Sequence, residues 1–410
     1  MISNRLTSYI LAGLFLGLIA GYAINEYANP ASHQEIAGNF DVVTKIFLRL
    51  IKMIIAPLIL STLVVGIAKM GDGKAVGRVG LKTLGWFLFA SIMSLTLGLI
   101  MVNLFRPGDA LQQVTEQLTG DSGVTTGALS VAVFIEHAVP ASIVDGMAKN
   151  EILQILVFSI FFGLAAAAIG EKAKPLVDAM DSLAHIMLKV TGYVMQFAPL
   201  AVFAAVTATI AKSGMGVVAT FGIFMAEFYF SIILLWILLM AMGFVFLRAR
   251  VFDLIKRVRE PILLAFSTAS SEAAYPKTLE QLEKFGVNNR IASFVLPLGY
   301  SFNLDGSMMY CTFATLFIAQ AYGIEFSAAE QITMLLVLMV TSKGIAGVPR
   351  ASLVVIAATL VQFNIPEAGL LLLLGFDHFL DMGRSATNVV GNSIASAVVA
   401  KWEGQLNQPQ

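Results

Sequence analysis

The chain has 410 residues, 58% of them hydrophobic and 13% charged, with a formal net charge of zero and a mean hydropathy of +0.82. Soluble domains are about half apolar and about a quarter charged, so this composition points to an integral membrane protein. The neutral balance argues against a nucleic-acid partner, the single Cys311 excludes an internal disulfide framework or a cysteine-based metal site, and no GxxxxGK[ST] loop supports ATP-driven work.

In chain order, residues 8–24 predict a first membrane helix. The start, Met1 to Ala23, also has the Arg5-then-apolar pattern of a signal peptide, but further spans follow at once. Asp41 to Lys69 predicts a second helix with Pro57 inside it, which membrane helices tolerate. Lys69, Lys74, Arg78 and Lys82 lead into a third, ending near Phe105. Arg106 to Thr126 reads as an exposed loop. Ser130 to Gly170 is a hydrophobic segment broken around Pro140 and Asn150. Apolar tracts 175–212 and 216–247 follow, joined by Lys212-Ser-Gly-Met-Gly216. The four histidines, His33, His137, His185 and His378, share no zinc-like spacing.

Basic residues gather after the second helix, at Lys172 and Lys174, at Arg248 to Arg259, and at Lys277, Lys284 and Arg290, whereas the loop Tyr322 to Gln331 has none. The positive-inside rule puts the first set in the cytoplasm and that loop outside. Residues 261–277 carry an apolar arm too short to cross, then a serine cluster, with basic residues at both ends. That predicts a re-entrant hairpin. Residues 332–365 repeat the pattern around Thr341-Ser-Lys-Gly-Ile-Ala-Gly-Val-Pro-Arg350, from the opposite side. Between them, the hydrophobic segment 291–320 is interrupted by Gly299-Tyr-Ser-Phe-Asn-Leu-Asp-Gly-Ser307, the mark of an unwound helix. A glycine-hinged kink would explain one such loop alone. The two together read as an inverted repeat with a polar site at the midplane.

The last stretch, Pro366 to Trp402, places Asp377, Asp381, Arg384, Ser385, Asn388 and Asn392 within one helical stripe roughly 100° wide. Charges at membrane depth cost about 2.5–3.5 kcal/mol each, so this stripe faces a cavity or its own partners. An ion pair between Asp381 and Arg384 at i, i+3 is the structural reading, but the stripe holds more polar groups than one pair needs.

Ser270-Ser-Glu272, Asn303-Leu-Asp-Gly-Ser307, Ala346-Gly-Val-Pro349 and Asp381-Met-Gly-Arg-Ser-Ala-Thr-Asn388, with Leu50-Ile-Lys-Met-Ile-Ile-Ala-Pro57, resemble the dicarboxylate/amino acid:cation symporters over nearly the whole chain. The resemblance implies an all-α polytopic membrane protein: eight transmembrane helices and two re-entrant hairpins, forming a homotrimer in the bacterial inner membrane with both termini cytoplasmic. It implies a scaffold of residues 1–70 and 130–213, and a transport domain moving like an elevator, from helix 3 and its following loop (71–129) and residues 214–403. The latter would hold helix 6, hairpin 1 at about 252–286, helix 7 at about 288–321, hairpin 2 at about 327–365 as the outer gate, and helix 8 at about 366–403. Residues 404–410 would be a tail.

By position, Arg384 would hold a side-chain carboxylate, which its planar fork suits. Asp381 would hold an α-ammonium. Ser270, Ser271, Ser307, Ser385 and Asn388 would complete the contacts, with Val348 and Ser352 closing the lid through their backbone. Gly299, Asn303, Asp305 and Asn392 fall where the family binds cations, and a residual sodium site would use Ser301, Ser342, Lys343 and the Ile345 backbone. No cofactor is implied. The departures matter. Asn392 replaces a carboxylate of sodium-coupled relatives, Phe87 and Ala90 replace a tyrosine and a threonine beside Ser91, Glu272 replaces a hairpin serine, and Cys311 replaces a glutamate of animal members. Arg350 stands at the second hairpin tip where some relatives have glycine.

The pattern is nearest bacterial proton/glutamate symporters. The expected function is therefore import of an acidic amino acid with protons, with Glu272 the leading carrier ahead of Asp305, Asp377 and His378. Sodium coupling and C4-dicarboxylate transport are the alternatives. A channel would need a continuous polar lining, and an enzyme dyad of Ser270 or Ser271 with His378 has nothing to orient its base.

Overall fold

The computed structural model describes residues 2–29, 32–70, 73–109, 139–341, 351–374 and 376–407. Its main elements are helices, in the order α1 (Ile2–Tyr27), α2 (His33–Met70), α3 (Gly73–Phe105), α4 (Ile143–Lys149), α5 (Ile152–Ile169), α6 (Lys174–Val194), α7 (Ala198–Leu247), α8 (Arg250–Arg257), α9 (Arg259–Thr268), α10 (Tyr275–Phe285), α11 (Asn289–Phe302), α12 (Asp305–Ala321), α13 (Ala328–Thr341), α14 (Ala351–Gln362), α15 (Leu370–Leu374) and α16 (Asp377–Trp402).

Among the described residues, four spans are long and apolar enough to cross a membrane: Ser8–Tyr27, Lys74–Phe105, Gln154–Lys172 and Gly222–Leu247. A fifth forms if Lys174–Val194 and Ala198–Ala208, bent by 55°, count as one. The chain is thus a multi-pass membrane protein. The other long helices are less apolar for a physical reason. In α2, Asp41, Lys45, Arg49 and Lys52 leave only Met53–Ala68 as an apolar segment. The stripe of α16 is polar because protein shields it: almost every residue from Leu380 to Ala400 is buried, against α7, α9, α11 and α12. By contrast α1 shows Tyr9, Phe15, Leu16, Ile19 and Tyr22 outward, where lipid supplies the solvent.

Two boundaries differ from the sequence reading. The helix is continuous through Lys212-Ser-Gly-Met-Gly216, where a joint was expected; isolated glycines in an apolar helix cost only about 1 kcal/mol each. The last stretch begins with a 3-10 turn at Glu367–Gly369 and the short α15, so its main helix starts at Asp377.

The expected first hairpin is α9 and α10 joined at Ala269–Ala274. Ten residues of α9 reach about 15 Å, half the hydrocarbon thickness of about 30 Å. The helix stops because Ala269 is left-handed (φ 48°), with Ala269 N donating to Phe266 O and Ser270 N to Ala265 O. This is a Schellman closure made without glycine, at a cost of about 1–2 kcal/mol. The two arms are tied by Lys277 of α10, whose Nζ lies 3.4 Å from Glu260 of α9; Glu280, on its own helix, lies 3.0 Å from it. The interrupted helix is also present. α11 ends at Phe302 and α12 restarts at Asp305, with Asn303 and Leu304 non-helical.

Helix α3 packs so closely on α12 that a Cβ at Gly98 would lie 2.5 Å from Met309 O, a backbone atom that cannot yield. We expect Gly98→Ala to destabilise the protein by about 1–3 kcal/mol through overpacking. Gly85→Ala, in the same helix with nothing within 4 Å, should leave thermal unfolding unchanged or slightly raised. Equal melting temperatures for the two variants would contradict the close approach.

Candidate functional site

The site is built where α16 crosses the break between α11 and α12. Two bonds from α7 fix the rotation of α16. Trp236 Nε1 donates to Thr387 Oγ1 at 2.8 Å, and the Tyr229 hydroxyl donates to Phe379 O. With that rotation, Arg384 is buried at 1% exposure. Its Nη2 lies 3.2 Å from Asp377 Oδ1 and 3.0 Å from Asp381 Oδ1. The guanidinium carbon sits 4.1 Å from the Tyr310 ring centroid, a cation–π contact in a desolvated place. The Tyr310 hydroxyl donates to Asp377 Oδ1 at 2.9 Å, so one carboxylate oxygen accepts from both.

Asp377 and Asp381 are not equivalent. The Asp377 side chain is 2% exposed and the Asp381 side chain 28%. Asp377 is the inner of the two counter-ions, whereas Asp381 is the more exposed one. Arg384 Nε and Nη1 have no hydrogen-bond partner among the described residues. A guanidinium has five donors in a rigid fork, and buried donors are ordinarily paired, so these three N–H groups mark Arg384 as incompletely satisfied among the described residues.

One turn further, Asn388 Oδ1 accepts from Gly306 N at 3.0 Å and Ser307 N at 3.4 Å, while its Nδ2 donates to Ser307 Oγ at 3.2 Å. Below that, Asn303 Nδ2 donates both to Asp305 Oδ2 at 3.0 Å and to Asn392 Oδ1 at 3.1 Å. Ser94 of α3 lies 3.2 Å from Asp305 Oδ1. The glycines make this possible: a Cβ at Gly391 would lie 1.8 Å from Asp305 Oδ2, and one at Gly299 2.2 Å from Asn392 Oδ1.

Ser307, Asn388, Asp377, Asp381, Arg384, Asn303, Asp305, Gly299 and Asn392 are therefore brought together as two linked polar clusters. Ser301 and Ser385 are buried close by in sequence, and Ser352 is joined to the site through its carbonyl, 3.9 Å from Cys311 Sγ. Ser270 works at the hairpin turn, where its Oγ accepts from Ala273 N at 3.2 Å. Ser271 and Glu272 follow in that turn, and His378 sits half-buried in the first turn of α16. Val348, Ser342, Lys343, Ile345 and Arg350 lie outside the described residues.

The sequence reading passed over Tyr310, Ser94 and Trp236. Tyr310 carried a signal: it lies three residues after Ser307 in an apolar helix, and a buried tyrosine hydroxyl needs a partner.

Comparison with known proteins agrees with this arrangement. The family model described as "Sodium:dicarboxylate symporter family" matches residues 6–402. A proton/sodium-glutamate symport protein of Geobacillus stearothermophilus is 41% identical over 404 residues, covering 97% of this chain and 94% of that one. A proton/glutamate-aspartate symporter of Escherichia coli is 39% identical, covering 97% and 93%. A C4-dicarboxylate transport protein of Laribacter hongkongensis is 39% identical over 368 residues, covering 88% and 83%. The buried arginine between two carboxylates thus sits in a chain that belongs to the sodium:dicarboxylate symporter family, whose members are transporters and not enzymes.

Proposed function

We propose that this protein imports an acidic amino acid, glutamate or aspartate, together with cations, from the outside of a bacterial inner membrane. One observation carries the reading. A single guanidinium, Arg384, faces two carboxyl groups, and with both ionised the cluster carries one net negative charge. An acidic amino acid adds a second. Two like charges 4 Å apart repel by about 4 kcal/mol at an effective dielectric of 20. Uptake into such a site requires accompanying positive charge, which is what symport supplies.

In this reading Arg384 takes the side-chain carboxylate through its unpaired N–H groups. The more exposed Asp381 exchanges its contact with Arg384 for the α-ammonium, and Asn388 with Ser307 and the backbone of Val348 and Ser352 complete the pocket. Asp377 and Tyr310 keep the guanidinium in place throughout. The homotrimer, the eight spans, the cytoplasmic termini and the elevator movement follow the resemblance to the family and are part of the proposal. The names of the glutamate symporters among the relatives support the substrate class.

A C4-dicarboxylate is the second reading, favoured by the relatives that carry that name. A dicarboxylate has no ammonium to meet the half-exposed acid at Asp381. Glutamate uptake into proteoliposomes should therefore be blocked by excess glutamate or aspartate and hardly by succinate. Asp381→Asn should weaken glutamate binding by about tenfold or more, the loss of one charge-assisted contact of about 1.5–3 kcal/mol. Succinate competing as strongly as glutamate would overturn the amino acid assignment.

A further inference from the structure

The residues after α16 form a strap across the inner face. The Glu403 side chain, only 5% exposed, receives Arg78 Nη2 at 2.7 Å and Nε at 3.0 Å, and Lys82 Nζ at 2.6 Å. Lys82 also donates to Trp402 O at 3.1 Å. The Trp402 ring packs edge-on against Trp86 of α3 and Phe246 of α7, and Lys401 donates to Phe246 O. Beyond it, Asn288 N donates to Gln405 O at 3.1 Å, Asn407 N to Gly286 O at 2.8 Å, and Arg250 Nη2 to Asn407 O at 2.8 Å. Residues 401–407 thereby join α3, α7, α8 and the turn between α10 and α11 to the end of α16.

Glu403 is set apart from ordinary surface acids. An exposed ion pair contributes about 0–1 kcal/mol, but this carboxylate, 5% exposed against partners that are 59% and 33% exposed, accepts from three donors, one of them bifurcated, and is shared by two cations one turn apart on α3. Arg78 hydrogen bonding, more than any other influence, holds its carboxyl below the usual range, so it is ionised at neutral pH.

Helix α3 is the element this grip controls. From Arg78 to Ser94 it runs about 24 Å, and at Ser94 it reaches the site: the Ser94 hydroxyl lies 2.8 Å from Ala90 O of its own helix and 3.2 Å from Asp305 Oδ1. At its other end, Gln320 Nε2 donates to Val102 O at 3.0 Å. A helix sliding along its axis by one residue moves 1.5 Å, enough to break a contact of 3.2 Å. We propose that Glu403 is a positioning residue for transport: by clasping Arg78 and Lys82 it fixes the axial register of α3 on α16 and so keeps Ser94 on Asp305 as the loaded site moves.

The proposal rests on the transport reading for its kinetic test and stands apart from it for its structural one. Glu403→Gln in the full chain, reconstituted in proteoliposomes, should lower the turnover of glutamate uptake by about tenfold, equivalent to about 1.4 kcal/mol. KM should stay within about twofold, because Arg384 and Asp381 are untouched. In the same variant, hydrogen exchange at the Asn288 and Asn407 amides and along Lys74–Trp86 should accelerate. The exchanged pair, Arg78→Glu with Glu403→Arg, should restore most of the turnover, which a nonspecific packing defect would not allow. Unchanged turnover, unchanged amide exchange, or a loss confined to KM would each overturn the positioning role. If the unaltered protein moved no glutamate under any gradient, the transport reading would fail instead, and amide exchange would still decide the clasp.

Discussion

Arg384→Ala is expected to abolish acidic amino acid uptake. The residue is the sole cation in the polar strip of α16, and it is held by Asp377, Asp381 and the face of Tyr310. Removing it takes away the carboxylate clamp and also strands Asp377 in a place with 2% exposure. Breaking a buried pair costs roughly 3–5 kcal/mol, so glutamate binding should weaken by at least about a hundredfold, with neutral amino acids retained only weakly. Some of that cost falls on folding. Arg384→Lys separates the two effects, because it keeps a charge for Asp377 and loses the planar fork. It should fold, as read by size-exclusion chromatography and thermal unfolding, and still lose glutamate affinity by more than tenfold, about 1.4 kcal/mol. Unchanged glutamate affinity in either variant would end the assignment of Arg384 as the clamp.

The two carboxylates beside Arg384 also show where sequence reading reaches its limit. Helical spacing alone placed Asp377, Asp381, Arg384, Asn388 and Asn392 on one face, and the structure keeps them there because period 3.6 is a local property of the backbone. The break at Asn303 was legible because glycine, asparagine and aspartate gather in mid-span, where a kink alone would need only one hinge residue. The inequality of the acids was not legible. Asp377 and Asp381 look alike in a helical wheel, and only the packing of Tyr310 from α12 makes one of them the inner counter-ion. Ser94 and Trp236 were invisible because their partners lie more than 150 residues away. The C-terminal strap was not legible as a unit: by sequence Lys401 to Glu403 close the last helix and the residues from Gly404 onward form a tail, since they show no period. Its meaning comes from the cations of α3, over 300 residues earlier.

Transport is expected to run on protons without sodium. A sodium site needs several hard oxygen ligands and ordinarily a carboxylate among them to offset the ion's desolvation. Asn392 offers a neutral amide whose Oδ1 already accepts from Asn303 Nδ2 at 3.1 Å, the Asp305 carboxylate in the same cluster already accepts from Asn303 Nδ2 at 3.0 Å and Ser94 Oγ at 3.2 Å, and Phe87 and Ala90 of the adjoining α3 contribute no side-chain oxygen. Protons need only a group that binds and releases them. We expect Glu272 to carry the proton, as the carboxyl at the tip of the first hairpin, half-buried in the turn between α9 and α10. Its ordinary alternative is a hydrogen-bonding role within the turn. In sodium-free proteoliposomes an inward gradient of one pH unit supplies about 1.4 kcal/mol per proton, enough for about tenfold accumulation of glutamate per proton carried. Glu272→Gln keeps the shape and hydrogen-bonding capacity of the side chain and removes its titration. It should lose accumulation driven by the pH gradient while keeping exchange of internal for external glutamate, since a carrier that stays loaded need not release its proton. A requirement for sodium in the unaltered protein would overturn proton coupling itself. Normal proton-driven accumulation by Glu272→Gln would leave the coupling standing and pass the carrier role to Asp305, Asp377 or His378, to be resolved by the same paired measurement on Asp305→Asn, Asp377→Asn and His378→Gln.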